Sequence, residues 1–127
     1  MRRIVAAIAA VLVMAVLAVP ARGDDLTVPI VIAPSTINLQ AGGTWVTVHA
    51  EIAYSAVNAA SVTLDGIPVK TTFADNRGEL VAKFLVGDVR DIVEPGTTPE
   101  LTLSGTTDGG DTFSGTDTVR VIDVSGK

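Results

Sequence analysis

The chain has 127 residues, enough for one domain, with nine Lys and Arg against fourteen Asp and Glu, no cysteine and one histidine. Those numbers exclude a disulfide scaffold and a metal site built from cysteines or paired histidines. With no basic cluster after residue 22, they also exclude a nucleic-acid-binding surface.

The first segment reads as a secretory signal peptide, residues 1–21. Arg2 and Arg3 form the positive start, Ile4 to Val19 is an unbroken apolar run, and Pro20-Ala21 sits at the expected cleavage point. The alternative is an uncleaved leader kept as an anchor, although the run is short of the ~20 residues that a spanning helix needs. No cysteine is present to carry a lipid. Cleavage takes away two arginines, so the mature chain has a net charge near −7. The expectation is a secreted or cell-surface protein (periplasmic in a two-membrane cell) of prokaryotic type. It is held together by packing and hydrogen bonds alone and, after cleavage, has no membrane contact.

Residues 22–35 read as an N-terminal extension in which Leu26 to Ala33 is β-rich, but Pro29 confines it to an edge. The domain proper is expected over 36–127. Thr36 to Gln40 alternates, and Ala41-Gly42-Gly43-Thr44 is a turn. Trp45 to Tyr54 is a long strand with Val46, Val48, Ala50 and Ile52 on one face and Trp45, Thr47, His49 and Glu51 on the other. From Ser61 the chain reads SVTL-DG-IPVKTTFAD-NRG-ELVAKFLV. Asp65-Gly66 is a two-residue hairpin turn that pairs Leu64 with Ile67 and Val62 with Val69. A second turn at Asn76-Arg77-Gly78 leads to Leu80, Ala82 and Phe84, which predicts a three-stranded meander with one apolar face.

A short helical connection is expected near 88–94, capped by Asp88 and crossing between sheets, with Val89, Ile92 and Val93 at helical spacing. Two further strands follow around the Asp108-Gly109-Gly110 turn. The fragments beginning Ser104-Gly105-Thr106 and Ser114-Gly115-Thr116 read as paired polar strand ends. Asp117 shares a side with Val119, so either a bulge near Gly115 shifts the register or the carboxylate sits at the rim and bonds to a loop. Seven or eight short strands with regular Gly, Pro and Asp punctuation give an all-β fold class, an antiparallel two-sheet sandwich of immunoglobulin-like architecture.

The succession NLQAGGTWVTVHAEI, ASVTLDGIPV, ADNRGELVAKF and LTLSGTTDGGDTFSGTDTVRVI resembles a small Ig-like β-sandwich module of secreted and cell-surface proteins in bacteria and archaea. The resemblance spans about Ile37 to Ile122 and implies the fold and an exported location, but no defined chemistry. Members of that type often carry an acidic D-x-D-x-D-like loop where this chain has Asp75-Asn76-Arg77-Gly78-Glu79. Arg77 stands where an oxygen ligand would be wanted.

Catalytic chemistry has little support. His49 lacks a nucleophile and an orienting acid at recognisable spacing, and no G-x-S-x-G elbow exists. The carboxylates are scattered over loops, without the aromatic cleft of a glycosidase once Phe73, Phe84 and Phe113 are assigned to the core. No cofactor is expected. Calcium is the alternative, with Asp75, Asn76 and Glu79 or Asp108, Asp111 and Asp117 as candidate ligands. Ordinary turn chemistry is the preferred reading of both loops. Trp45 and Tyr54 bracket one strand; Trp45 is preferred as a partly buried sandwich residue, and the two together are the candidate binding surface, for a glycan or an envelope or extracellular protein. The preferred function is a non-enzymatic structural or adhesive module. A soluble glycan- or protein-binding module and a calcium-stabilised surface domain are the alternatives.

Overall fold

A computed structural model describes residues 24–40, 43 and 45–123. The expected leader and its cleavage site lie outside the described residues, as do most of the 41–44 turn and the last four residues. The elements in order are β1 (Asp25–Thr27), β2 (Ile30–Ala33), β3 (Thr36–Asn38), β4 (Trp45–Ala53), β5 (Val57–Leu64), β6 (Ile67–Pro68), β7 (Thr71–Ala74), β8 (Glu79–Leu85), α1 (Val86–Arg90), β9 (Glu100–Thr107), β10 (Thr112–Thr118) and β11 (Arg120–Ile122). A 3-10 turn, Tyr54–Ala56, links β4 to β5. One sheet runs β1-β10-β9-β5-β6 and the other β2-β4-β8-β7, with β11 and β3 forming a separate parallel pair. Within the two large sheets only β1–β10 is parallel.

This is an all-β sandwich. Its core is Val46, Val48, Ala50, Leu80, Ala82 and Phe84 from one sheet against Val62, Leu64, Leu101, Leu103 and Phe113 from the other. Ile32, Ile37, Val119 and Val121 are among the residues that join it, and among the described residues no polar or charged residue is buried. The alternation read along β4 is the alternation observed, so period-two patterning was a sound guide to which face packs.

Asp65 (φ 46°) and Gly66 (φ 87°) form the predicted tight turn. Leu64 pairs with Ile67, and Val69 N–H donates to Val62 O at 3.1 Å. Asp65 also accepts the Thr102 N–H at 2.8 Å, tying the turn to β9. The meander does not continue beyond this hairpin. β5 and β6 belong to the five-stranded sheet, whereas β7 and β8 belong to the other. Pro68 has no N–H to extend the ladder, and two residues on the Lys70 N–H donates to Lys83 O instead. Ser61 lies in a register shift of β5. Its hydroxyl accepts the Thr106 N–H at 2.8 Å and donates to Asn58 O at 2.6 Å.

Helix α1 does cross between the sheets but begins two residues earlier than expected, and Asp88 lies inside its first turn rather than capping it. Val89 and Val93 are buried and Ile92 is exposed. Among the described residues eleven strands stand where seven or eight were expected, chiefly because residues 25–38 contribute three short ones. Pro29 splits that segment. β1 pairs with β10 in one sheet, and β2 pairs with β4 in the other.

The crossing between β1 and β2 passes directly over Gly115. A Cβ on Gly115 would lie 2.2 Å from Val28 O and 2.7 Å from Ile30 Cγ2. Val28 N–H donates to Ser114 O at 2.9 Å, and Pro29 O accepts from Glu51 N–H at 3.0 Å. Asp117 then accepts the Ile32 N–H at 3.0 Å. The β9–β10 ladder runs without a register shift past Gly115, so Asp117 keeps its inward parity as a half-buried rim group that bonds to strand β2.

Two predictions follow from the crossing. Gly115→Ala should cost about 1–3 kcal/mol in urea denaturation, because backbone would have to move. Gly87→Ala, in α1 with open space around it, should be neutral or stabilise by up to about 1 kcal/mol. Asp117 also accepts the Thr118 N–H at 2.9 Å; Asp117→Ala leaves both N–H groups without their acceptor and should cost about 1–3 kcal/mol, while Asp117→Asn, which keeps one acceptor oxygen of the two, should recover part of that loss.

Candidate functional site

The two sheets present very different outer faces. On the five-stranded sheet, Thr27, Ser114, Ser104 and Thr63 form a row of hydroxyl residues across four strands. Thr106 opposite Thr112 and Thr102 opposite Thr116 add two further hydroxyl pairs. The paired polar strand ends read from the repeated Ser-Gly-Thr fragments thus meet in register. A shallow depression of about 500 Å³ lies over Ser104, Thr106, Thr112 and Ser114, with Asp25 at its rim.

The outer face of the four-stranded sheet sets exposed aromatic and aliphatic side chains among polar ones. Its register sets Val31, His49, Val81 and Phe73 in one row across all four strands. The next row is Ala33, Thr47, Lys83 and Thr71, and beyond it Trp45 lies opposite Leu85. Val31 is 61 % exposed, Phe73 44 % and Trp45 37 %, whereas Val81 is buried between its neighbours. Lys83 lies diagonally between the two rings, its Nζ 5.6 Å from the Trp45 centroid and 5.7 Å from that of Phe73. Such exposed cation–π contacts contribute about 0.5–1 kcal/mol each and hold the rings in a defined arrangement. At the β7–β8 end the face runs into a groove of about 500 Å³ lined by His49, Phe73, Asp75, Asn76, Arg77 and Val81.

Trp45 is therefore exposed on this face. Tyr54 is half-buried against the core, and its backbone N–H donates to Gly78 O at 2.8 Å. His49 is exposed in the middle of the first row. Phe84 and Phe113 are core residues as expected, but Phe73 is not. It lies opposite Val81, out of phase with the core-facing Leu80, Ala82 and Phe84, and so points outward. The clue was present in the run Leu80-Val81-Ala82. A valine between two core positions signals an outer face that is itself partly covered. Val31, Phe73 and Lys83 are the members of this face that sequence reasoning missed, because their neighbours are set by pairing between distant strands.

Several of the calcium candidates already have their carboxylates engaged. Asp75 accepts the backbone N–H groups of Arg77 at 2.8 Å and Glu79 at 3.0 Å. Arg77 pairs with Glu79 at 3.1 Å, and Asn76 is an exposed turn residue. At the other loop, Asp111 accepts the Asp24 N–H at 3.1 Å, and Asp108 gives its own N–H to Ala56 O at 2.9 Å. Asp117 is bound to β2. Among the described residues no three Asp, Glu or His side chains converge as an ion site would need. No helix of the described residues is long and apolar enough to cross a membrane.

No protein-family model matches this chain, and neither the curated proteins nor the solved structures contain a significant match to it.

The hydrogen bonds to Asp75 have a pH consequence. The backbone N–H groups of Glu79 and then Arg77 hold its carboxyl below the ordinary value of 3.8. A carboxylate depressed on folding contributes stability that is complete above the unfolded value and lost as pH falls through the folded one. Acid titration of wild type should therefore show a loss of stability that begins below about pH 4. Asp75→Asn should show a shallower acid limb in the same denaturation series.

Proposed function

We propose that this is an exported, non-enzymatic Ig-like module that serves a structural or adhesive role at the cell surface or in the extracellular matrix. On this reading it docks through the outer face of its four-stranded sheet onto an envelope or extracellular protein. The observation that carries the reading is the clustering of Val31, Trp45 and Phe73 on one face. These are three of the five large apolar side chains exposed among the described residues. Scattered apolar side chains need no explanation, but three on one outer sheet face, two of them bridged by Lys83, have the composition of an interaction surface. Leader-directed export supplies the location. The absence of a recognisable nucleophile–base pair in the sequence favours a binding role over a catalytic one.

Cross-linking on intact producing cells tests this reading. Wild type should be recovered in adducts with surface proteins. Trp45→Ala and Phe73→Ala should each reduce that recovery at least severalfold without lowering the thermal midpoint appreciably, since both side chains are largely outside the core. Recovery of wild type only as free chain in the medium would contradict the proposal.

A second reading, a glycan-binding module, is favoured by the groove beside Phe73. There an aromatic wall meets the hydrogen-bonding groups of His49, Asn76 and Arg77. It predicts retention on an immobilised glycan that Phe73→Ala abolishes and that survives removal of surface proteins by protease. The calcium-stabilised alternative predicts a lower thermal midpoint in chelator. Because Asp75 already closes its own turn, the expected result is that the midpoints coincide.

A further inference from the structure

We propose that the free edge of β7 pairs with the same edge of a second copy of this chain, joining two four-stranded sheets into one. Four strands form the edges of the two large sheets: β1, β6, β2 and β7. Three of them are blunted. β1 has three residues and opens with Asp25, and β6 has two and ends in Pro68. β2 follows Pro29, and its Ile32 N–H is capped by Asp117. β7 is the exception. Thr71-Thr72-Phe73-Ala74 carries no charge, proline or bulge, and among the described residues β8 is its only partner.

The backbone defines how that edge would pair. The Asp75 N–H donates to Glu79 O, its cross-strand partner. Antiparallel ladders alternate, so the backbone groups of Phe73 and Asp75 face β8 while those of Thr72 and Ala74 face outward. Among the described residues nothing takes them up. Two copies related by a twofold axis normal to the sheet keep their outer faces on the same side. Residues of equal parity must then meet. Centring the axis on Phe73 sets Thr72 of each copy against Ala74 of the other, and each such pair can exchange two hydrogen bonds. The same register places the two Phe73 rings side by side at a non-hydrogen-bonded position, where side chains approach most closely, and sets the Thr71 hydroxyl opposite Asp75 of the second copy. Centring on Thr72 instead would require the Lys70 N–H, which is already given to Lys83 O at 2.9 Å. The edge is thus self-complementary in one register. Pairing in it makes the two apolar faces continuous, with the Phe73 pair at the centre. The pairing stands or falls independently of what that face binds.

Sedimentation velocity on the purified full chain over a wide concentration range tests it, with cysteine cross-linking to read the register. The chain has no cysteine of its own, so Phe73→Cys introduces a single thiol. The expected results are a dimer that grows with concentration and rapid disulfide formation between Phe73→Cys chains on oxidation. Ile92→Cys, equally exposed but remote from the edge, should react at least tenfold more slowly. Thr72→Pro removes an outward N–H, and Phe73→Lys opposes two like charges across the axis. Each variant, shown folded by circular dichroism, should be monomeric at concentrations where wild type dimerises. Any of three results would overturn the proposal: a wild-type monomer at every concentration, equal cross-linking of the two cysteine variants, or a dimer that survives both Thr72→Pro and Phe73→Lys.

Discussion

The structure depends on the passage of the chain from one sheet to the other at Val28-Pro29. Two large sheets packed face to face are held by apolar contact, which is strong but non-directional. The crossing supplies direction. It needs Gly115, because the Val28 carbonyl occupies the space a side chain would take. It also needs Asp117, because β2 leaves the crossing with an N–H that has no ladder partner on that side. One strand, β10, thus carries both groups, two residues apart. Through them β1 is laid on β10 and β2 is delivered to β4 in the register that turns Ile30 and Ile32 inward and Val31 outward.

Val31 links this constraint to the proposed function. It stands at one end of the row that runs through His49 and Val81 to Phe73, so the crossing helps to build the apolar face. The other end is placed by a second crossing, at Val69-Lys70, which hands the chain from β6 to β7. Both crossings lie next to prolines, which end one ladder without a backbone N–H left over. The contrast between the outer faces follows from the same register. Hydroxyl residues meet hydroxyl residues on β9 and β10. The opposite sheet gathers aromatic and aliphatic side chains around a lysine.

Much of the fold was legible in the residues. The alternation in Trp45 to Ala53 and the turns at Asp65-Gly66 and Asn76-Arg77-Gly78 are local signals, and each appears as read; Pro29, read as confining one strand to an edge, instead divides two strands between the sheets. What was not legible is the assignment of strands to sheets. Pairing of β5 with β9, or of β2 with β4, joins residues far apart in sequence, and nothing local distinguishes a hairpin that continues a meander from one whose next strand changes sheet. Phe73 shows the cost. Its chemistry suggested core, but its phase relative to Leu80, Ala82 and Phe84 placed it outside. The puzzle of Asp117 was visible from parity alone, and its solution required a partner some eighty-five residues away. The candidate surface was half legible: Trp45 lies on it, while Tyr54 is turned to the core and three other members were found only through the register.

The most direct test of the account is the solvent accessibility of Trp45, the sole tryptophan, when the protein is held on its native surface. Acrylamide quenching of its fluorescence should be efficient for the free protein and strongly reduced for the retained protein, with emission shifted to the blue. Equal quenching and an unchanged emission maximum in the two states would show that the Trp45 face stays open to solvent, and would contradict its role as the docking surface.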